Sequence, residues 1–179
     1  MGETTEKHKG QAPSRVRAAV VTISDSKYDY LWSKRGDLEE TEDISGKSII
    51  DALEKAGHDV VFYTIIPDHA GVIVETVDHI IATYALDIII TTGGTGIASK
   101  DVTVEALVGV LDKVIEGFGE LFRKMSFDRL GSAALLTRAI AGVWNGVVIF
   151  SLPGSPDAVQ TGMEIILKEV GHLVKHARE

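Results

Sequence analysis

The 179-residue chain contains no cysteine, so disulfides, thiolate metal sites and a cysteine nucleophile are all excluded. Side-chain amides are nearly missing too: asparagine occurs only at Asn145, and glutamine only at Gln11 and Gln160. That scarcity is a compositional trait of thermostable proteins. No apolar run approaches the ~20 residues that span a bilayer. The polar start, Met1 to Lys9, has no apolar signal-peptide core, so a cytoplasmic protein without a membrane partner is expected. Basic residues are in the minority, and the net charge of −8 argues against nucleic-acid binding, which needs a positive footprint. It leaves open a small anion gripped by backbone amides.

What remains is the composition of an ordinary globule, 45% hydrophobic and 25% charged, of a size that suits one domain. Residues 1–14 are polar and aperiodic and read as a flexible tail; residues 15–179 read as the domain. The organising stretch is Ile88-Ile89-Ile90-Thr91-Thr92-Gly93-Gly94-Thr95-Gly96, followed by Ile97 to Thr103 and the helical spacing of Val104 to Val108. A β-branched run reads as a buried parallel strand. Its glycines free backbone N–H groups to close around a phosphate, and a helix start adds partial positive charge. No Gly-Lys-Ser/Thr follows at Walker spacing, and Ser99 stands where a dinucleotide fingerprint wants glycine or alanine. A tight turn without ligand remains an alternative. Asp101 is either a helix N-cap or a Mg²⁺ ligand, since a carboxylate beside a phosphate cradle repels the anion unless a cation lies between.

In chain order, Val16 to Ile23 is a first strand, and a long loop to about Asp43 carries Tyr28, Tyr30 and Trp32. That loop suits a surface flap, a subunit contact or a ligand lid. Ser45 caps a helix that Gly57 ends, Val60 to Ile66 is a strand, and Gly71 to Tyr84 a helix. Beyond the glycine loop, a helix is expected over 102–112. Then come a glycine-punctuated turn at Gly117 to Gly119 leading into another helix, a small-residue helix over Ser132 to Ile140, a strand over Gly146 to Leu152 and a closing helix. This alternation predicts an α/β fold, a mainly parallel sheet covered on both faces. Its carboxyl edge then gathers Ser24-Asp25, Pro67-Asp68, Gly93 to Asp101 and Pro153-Gly154-Ser155. Carboxylates facing a polyphosphate there would bind it through Mg²⁺ and work by positioning and charge neutralisation. His172 and His176 have zinc-compatible i,i+4 spacing, but a solvated face suits them better; His69 reads as a helix-start residue. Arg123, Arg129 and Arg138 suit phosphate contacts or ion pairs equally, and Trp144 suits core or interface.

Taken together, Thr92-Gly93-Gly94-Thr95-Gly96, Lys100-Asp101-Val102-Thr103-x-Glu105, Gly117-Phe118-Gly119-Glu120, Ser126-Phe127, Thr137-Arg138-Ala139-x-x-Gly142 and Leu152-Pro153-Gly154-Ser155 resemble, in order, the MoaB/MogA family of molybdenum-cofactor biosynthesis. Ser24-Asp25, Asp43-x-Ser45-Gly46 and Pro67-Asp68 match as well, and the likeness covers about residues 15–175. The Gly-Phe-Gly-Glu and Leu-Pro-Gly-Ser segments are most similar to the MoaB branch.

The resemblance implies a three-layer α/β/α sandwich, assembled as a homotrimer or homohexamer, that joins AMP from Mg²⁺–ATP to molybdopterin. By the same resemblance Asp68 and Asp101 are catalytic and hold Mg²⁺. Ser24, Asp25, Asp43, Thr92, Gly93, Gly94, Thr95, Gly96, Thr103, Pro153, Gly154 and Ser155 bind molybdopterin or the nucleotide. Alternatives are a molybdopterin-binding protein without turnover and a nucleotide pyrophosphatase similar to the CinA proteins. A dinucleotide-dependent oxidoreductase is disfavoured by Ser99.

Overall fold

Six strands form one sheet: β1 (Arg17–Ile23), β2 (Asp59–Ile66), β3 (Ile88–Thr92), β4 (Lys113–Val114), β5 (Ile140–Trp144) and β6 (Val147–Leu152). The structure, a computed structural model, describes residues 12–34, 37–38 and 41–179. The strand order is β2-β1-β3-β6-β5-β4. Strands β2, β1, β3 and β6 run parallel; β5 is antiparallel to β6 and to the short edge strand β4. The helices are α1 (Asp25–Lys34), α2 (Ile44–Lys55), α3 (Ala70–Thr83), α4 (Thr103–Val108), α5 (Glu116–Leu130) and α6 (Pro156–Ala177). A 3₁₀ turn, Gly131–Leu136, follows α5.

The unbroken apolar strings of β1, β3 and β6 are explained by burial on both sides, because alternate side chains leave a strand on opposite faces. Ala18, Val20, Ile88, Ile90, Val148 and Phe150 pack against Ile49 and Leu53 of α2, Phe122 of α5 and Ile166 of α6. Their neighbours Ala19, Val21, Ile89 and Ile149 pack the other way, onto Ile73, Val77 and Ile80 of α3 and Leu107 of α4. The three-layer α/β/α architecture follows, and every parallel strand delivers its carboxyl end to the same rim.

Several local expectations are corrected. The aromatic segment after Ser24 is helix α1, not a loop: the Ser24 carbonyl accepts the Tyr28 N–H at 3.0 Å, and Tyr28 and Leu31 line a groove beside β2. The loop expected to run to Asp43 is thus shorter; its residues 35–36 and 39–40 lie outside the described ones. Asp43, not Ser45, caps α2, accepting the Gly46 N–H at 3.1 Å. Helix α4 is shorter than the expected 102–112, because the chain leaves it at Gly109 and the Asp112 N–H turns to the Val143 carbonyl at 2.8 Å. Gly117 and Gly119 lie inside α5, where a side chain at Gly119 would press on the Ala139 carbonyl. The helix expected over 132–140 is a 3₁₀ turn, and its end belongs to β5. The tail expected over 1–14 is described only from Ala12, which with Pro13 lies against Gly171 of α6; residues 1–11 are outside the described ones.

Candidate functional site

At the end of β3 the chain must turn within two residues, and Gly93 (φ 106°) and Gly94 (φ 61°) take left-handed conformations that a side chain resists. Space enforces the same choice. A Cβ at Gly93 would strike the Ile23 carbonyl of β1, and one at Gly94 would strike the Thr103 hydroxyl and the Asp68 carboxylate. The loop is anchored from behind. The Gly93 N–H donates to the Leu152 carbonyl at 3.0 Å, and the Gly94 carbonyl accepts the Thr103 N–H at 3.0 Å. The Thr92 hydroxyl donates to the Pro153 carbonyl at 3.2 Å, which ties the second loop, Pro153-Gly154-Ser155, to the first. From α2, the Ser45 hydroxyl donates to the Gly154 carbonyl at 2.7 Å. Ser155 caps α6, accepting the Ala158 N–H at 3.3 Å.

Three carboxylates reach the same rim. Asp25, in the first turn of α1, accepts the Asp68 N–H at 2.8 Å, while the Ser24 N–H donates to the Ile66 carbonyl at 2.9 Å. The Asp68 carboxylate accepts the Val102 N–H at 3.5 Å. Burial pushes the Asp68 carboxyl above its ordinary value, the Val102 N–H and Lys100 oppose this, and the like charges of Asp101 and Asp25 add to it. The Asp101 carboxylate stands over Gly96 and accepts the Ala98 N–H at 2.9 Å. It does not cap α4, whose N-cap is Val102. Asp68 and Asp101 therefore share one surface. Among the described residues no group of three or more His, Asp or Glu is arranged to hold a metal. Mg²⁺ asks for less, since it binds through one or two carboxylates with waters and substrate phosphates completing its shell. The hard oxygens of Asp68 and Asp101 fit it.

Two further features face this rim. The Thr103 hydroxyl is fully buried and has no hydrogen-bond partner among the described residues, an arrangement that costs stability. Thr95 is buried as well. Its N–H, like that of Gly96, meets no protein acceptor among the described residues.

Asp43 behaves differently from the other residues singled out. It has no exposed surface, and its carboxylate is occupied by the Thr22 hydroxyl at 2.5 Å, the Tyr63 hydroxyl at 2.7 Å and the α2 cap. Its place is in the framework under the rim. Burial, and then the bond to Asp43, push the Tyr63 phenol upward. Of the arginines, Arg129 donates from one terminal nitrogen to both Glu164 oxygens at 2.8 and 2.7 Å and from the other to the Thr161 hydroxyl, whereas Arg138 forms a two-nitrogen fork with Glu105. Trp144 packs on the core beside α3 and α4. His69 is the N-cap of α3 without a side-chain bond. His172 and His176 are edge-on neighbours with rings 4.6 Å apart and belong to no metal cluster among the described residues. Sequence reasoning passed over the Ser45 contact to Gly154 and the Glu105–Arg138 fork. The first was hidden because Ser45 resembles a cap, the second because the partners are distant in sequence.

Comparison with known proteins bears on the same segments. A family model described as "Probable molybdopterin binding domain" matches residues 19–172. The chain is 44% identical over 178 residues to the molybdopterin adenylyltransferase of Pyrococcus furiosus, covering 97% of this chain and 98% of that one. It is 44% identical over 171 residues to molybdenum cofactor biosynthesis protein B of Bacillus cereus, covering 93% of each. Among solved structures, the tungsten cofactor synthesizing protein MoaB from Pyrococcus furiosus superposes with a TM-score of 0.81 at 42% identity, over 94% of this chain and 100% of that one. With the glycine loop, its facing acids and these matches in place, the chain belongs to the MoaB/MogA family of molybdopterin-binding proteins.

Proposed function

We propose that this chain is a molybdopterin adenylyltransferase, which joins AMP from Mg²⁺–ATP to the terminal phosphate of molybdopterin and releases pyrophosphate. The observation that carries this reading is the meeting of Asp25, Asp68 and Asp101 with the open N–H groups of Thr95 and Gly96 on one rim. The Pyrococcus furiosus relative that bears this activity in its name supports it.

In this reading the residues bind and align rather than react. The N–H groups of Thr95 and Gly96 donate to phosphate oxygens, while Thr103, whose hydroxyl is buried, holds the turn behind them through its N–H on the Gly94 carbonyl. Asp68 and Asp101 would hold Mg²⁺, which would offset the charge of the triphosphate. An oxygen of the molybdopterin phosphate attacks the α-phosphorus of ATP in line. The new P–O bond forms as the bond from the α-phosphorus to its bridging oxygen breaks, and the electron pair departs with pyrophosphate. The attacking phosphate is already ionised at neutral pH, so no general base is required.

The assembly is a homotrimer or homohexamer, a reading supported by the exposed leucines Leu130, Leu135 and Leu136 after α5. A cytoplasmic location is part of the same proposal, consistent with the lack of a membrane-crossing helix among the described residues. The test is product analysis after incubating the purified protein with ATP and molybdopterin, with and without Mg²⁺. Adenylyl-molybdopterin and pyrophosphate in the Mg²⁺ reaction are expected. Binding without product would make the chain a molybdopterin carrier, and cleavage of ADP-ribose instead would make it a pyrophosphatase.

A further inference from the structure

Besides its backbone anchors, the glycine loop is held by a side chain from outside it. Arg138, in the segment between the 3₁₀ turn and β5, donates its Nε–H to the Thr95 carbonyl at 3.0 Å. Its two terminal nitrogens donate to the two Glu105 oxygens at 2.6 and 2.9 Å. Glu105 lies on α4, so the guanidinium ties three separate segments together. The mutual pairing moves both groups toward their charged forms: the bond to Arg138 holds the Glu105 carboxyl below its ordinary value.

The direction of that bond matters because of peptide geometry. In a trans peptide the C=O and the following N–H point to opposite sides of the chain. Anchoring the Thr95 carbonyl to Arg138 therefore turns the Gly96 N–H away from Arg138. The neighbouring peptide is set by the same device, since the Gly94 carbonyl accepts the Thr103 N–H and the Thr95 N–H must point the other way. Both freed N–H groups meet no protein acceptor among the described residues. Gly96 has no side chain to resist rotation, so without Arg138 its peptide is the freer of the two.

We infer that Arg138, braced by Glu105, is a positioning residue that aims the Gly96 N–H at a phosphate oxygen of the bound substrate without touching the substrate itself. The inference rests on the proposed use of the glycine loop as a phosphate cradle. It assigns Arg138 to the loop's backbone rather than to a direct phosphate contact, because three of its five N–H donors are already committed. Lysine is a poor substitute, for a single ammonium has no fork to span the Thr95 carbonyl and both Glu105 oxygens.

The experiment is calorimetric titration of the full chain with Mg²⁺–ATP and, separately, with molybdopterin, together with melting curves and steady-state kinetics. Arg138→Gln should weaken one or both ligands about tenfold, and the affected ligand is the one whose phosphate lies on Gly96. The corresponding KM should rise with kcat within about twofold, as for lost uniform binding. The melting temperature should fall by no more than about 3 °C, since the Glu105 end of the ion pair is 60% exposed. Arg138→Lys should recover only part of the affinity. Glu105→Gln should weaken the same ligand about threefold, and it carries the test if Arg138→Gln fails to fold. Unchanged affinity for both ligands in the folded variants, or losses that simply follow a fall in melting temperature with kcat, would overturn the inference. Because binding is read without turnover, a wild-type chain that binds but makes no product would remove the adenylyltransferase reading alone. A wild-type chain that binds neither ligand would remove both.

Discussion

Asp68 takes its character from its neighbours. Partly buried and facing Asp101 and Asp25, its carboxyl is raised above its ordinary 3.8. A carboxyl raised in the folded state stabilises the fold below its unfolded pKa, and that contribution is lost as pH rises through the folded value. At neutral pH the ionised Asp68 carboxylate therefore costs the fold stability. Asp68→Asn should melt above the wild type at pH 7, with the gap closing below ~pH 4, where the carboxyl is protonated in both states. Melting curves across that range check this, and a gap that stays constant or reverses contradicts it. Thr103 presents a similar conflict without charge. Thr103→Val removes a buried, unpartnered hydroxyl and should stabilise the free protein by about 1 kcal/mol in urea unfolding. Loss of stability would show that the hydroxyl is satisfied after all.

Elements matter here through their ends. The β3 to α4 connection works because Gly94 combines a positive φ with no room for a Cβ. Gly94→Val should cost at least about 2 kcal/mol in urea unfolding and weaken phosphate-ligand binding at least tenfold by calorimetry; normal affinity would argue against the cradle. This connection was legible beforehand because a β-branched run ending in Gly93-Gly94 has few structural solutions. The rim was legible for the same reason: four parallel strand ends must share an edge. Helix α1 was not, because Tyr28, Leu31 and Trp32 give only a short apolar stripe and Trp32 is 73% exposed. Strand β5 was lost among small residues, since Ala139, Ile140, Ala141 and Gly142 suit either period. The turn at Asn145 (φ 51°) and Gly146 (φ 76°) carried the missing signal, for Asn-Gly between apolar runs marks a two-residue hairpin. Asp43 was recognisable as special from its motif, but its burial is a tertiary fact that no local pattern reveals.

At the scale of the molecule, the sheet separates tasks. Its two apolar faces hold the helices, while its carboxyl rim collects charge that a folded chain would otherwise keep apart. Among the exposed apolar side chains of the described residues, Phe127, Leu130, Leu135 and Leu136 fall together at the end of α5 and in the turn beyond it, Leu135 at 84%. A double substitution, Leu135→Glu with Leu136→Glu, should shift the protein toward monomer in sedimentation velocity while leaving its far-ultraviolet dichroism unchanged; an unaltered assembly would place the subunit contact elsewhere. The account as a whole depends on Asp68 and Asp101 acting together on one magnesium-bound nucleotide. The most direct measurement is the rate of Mg²⁺-dependent adenylyl-molybdopterin formation by Asp101→Asn, whose amide still offers an oxygen to the Ala98 N–H and so preserves the turn. A fall of about 10²-fold with molybdopterin affinity intact is predicted, and turnover at the wild-type rate would contradict it.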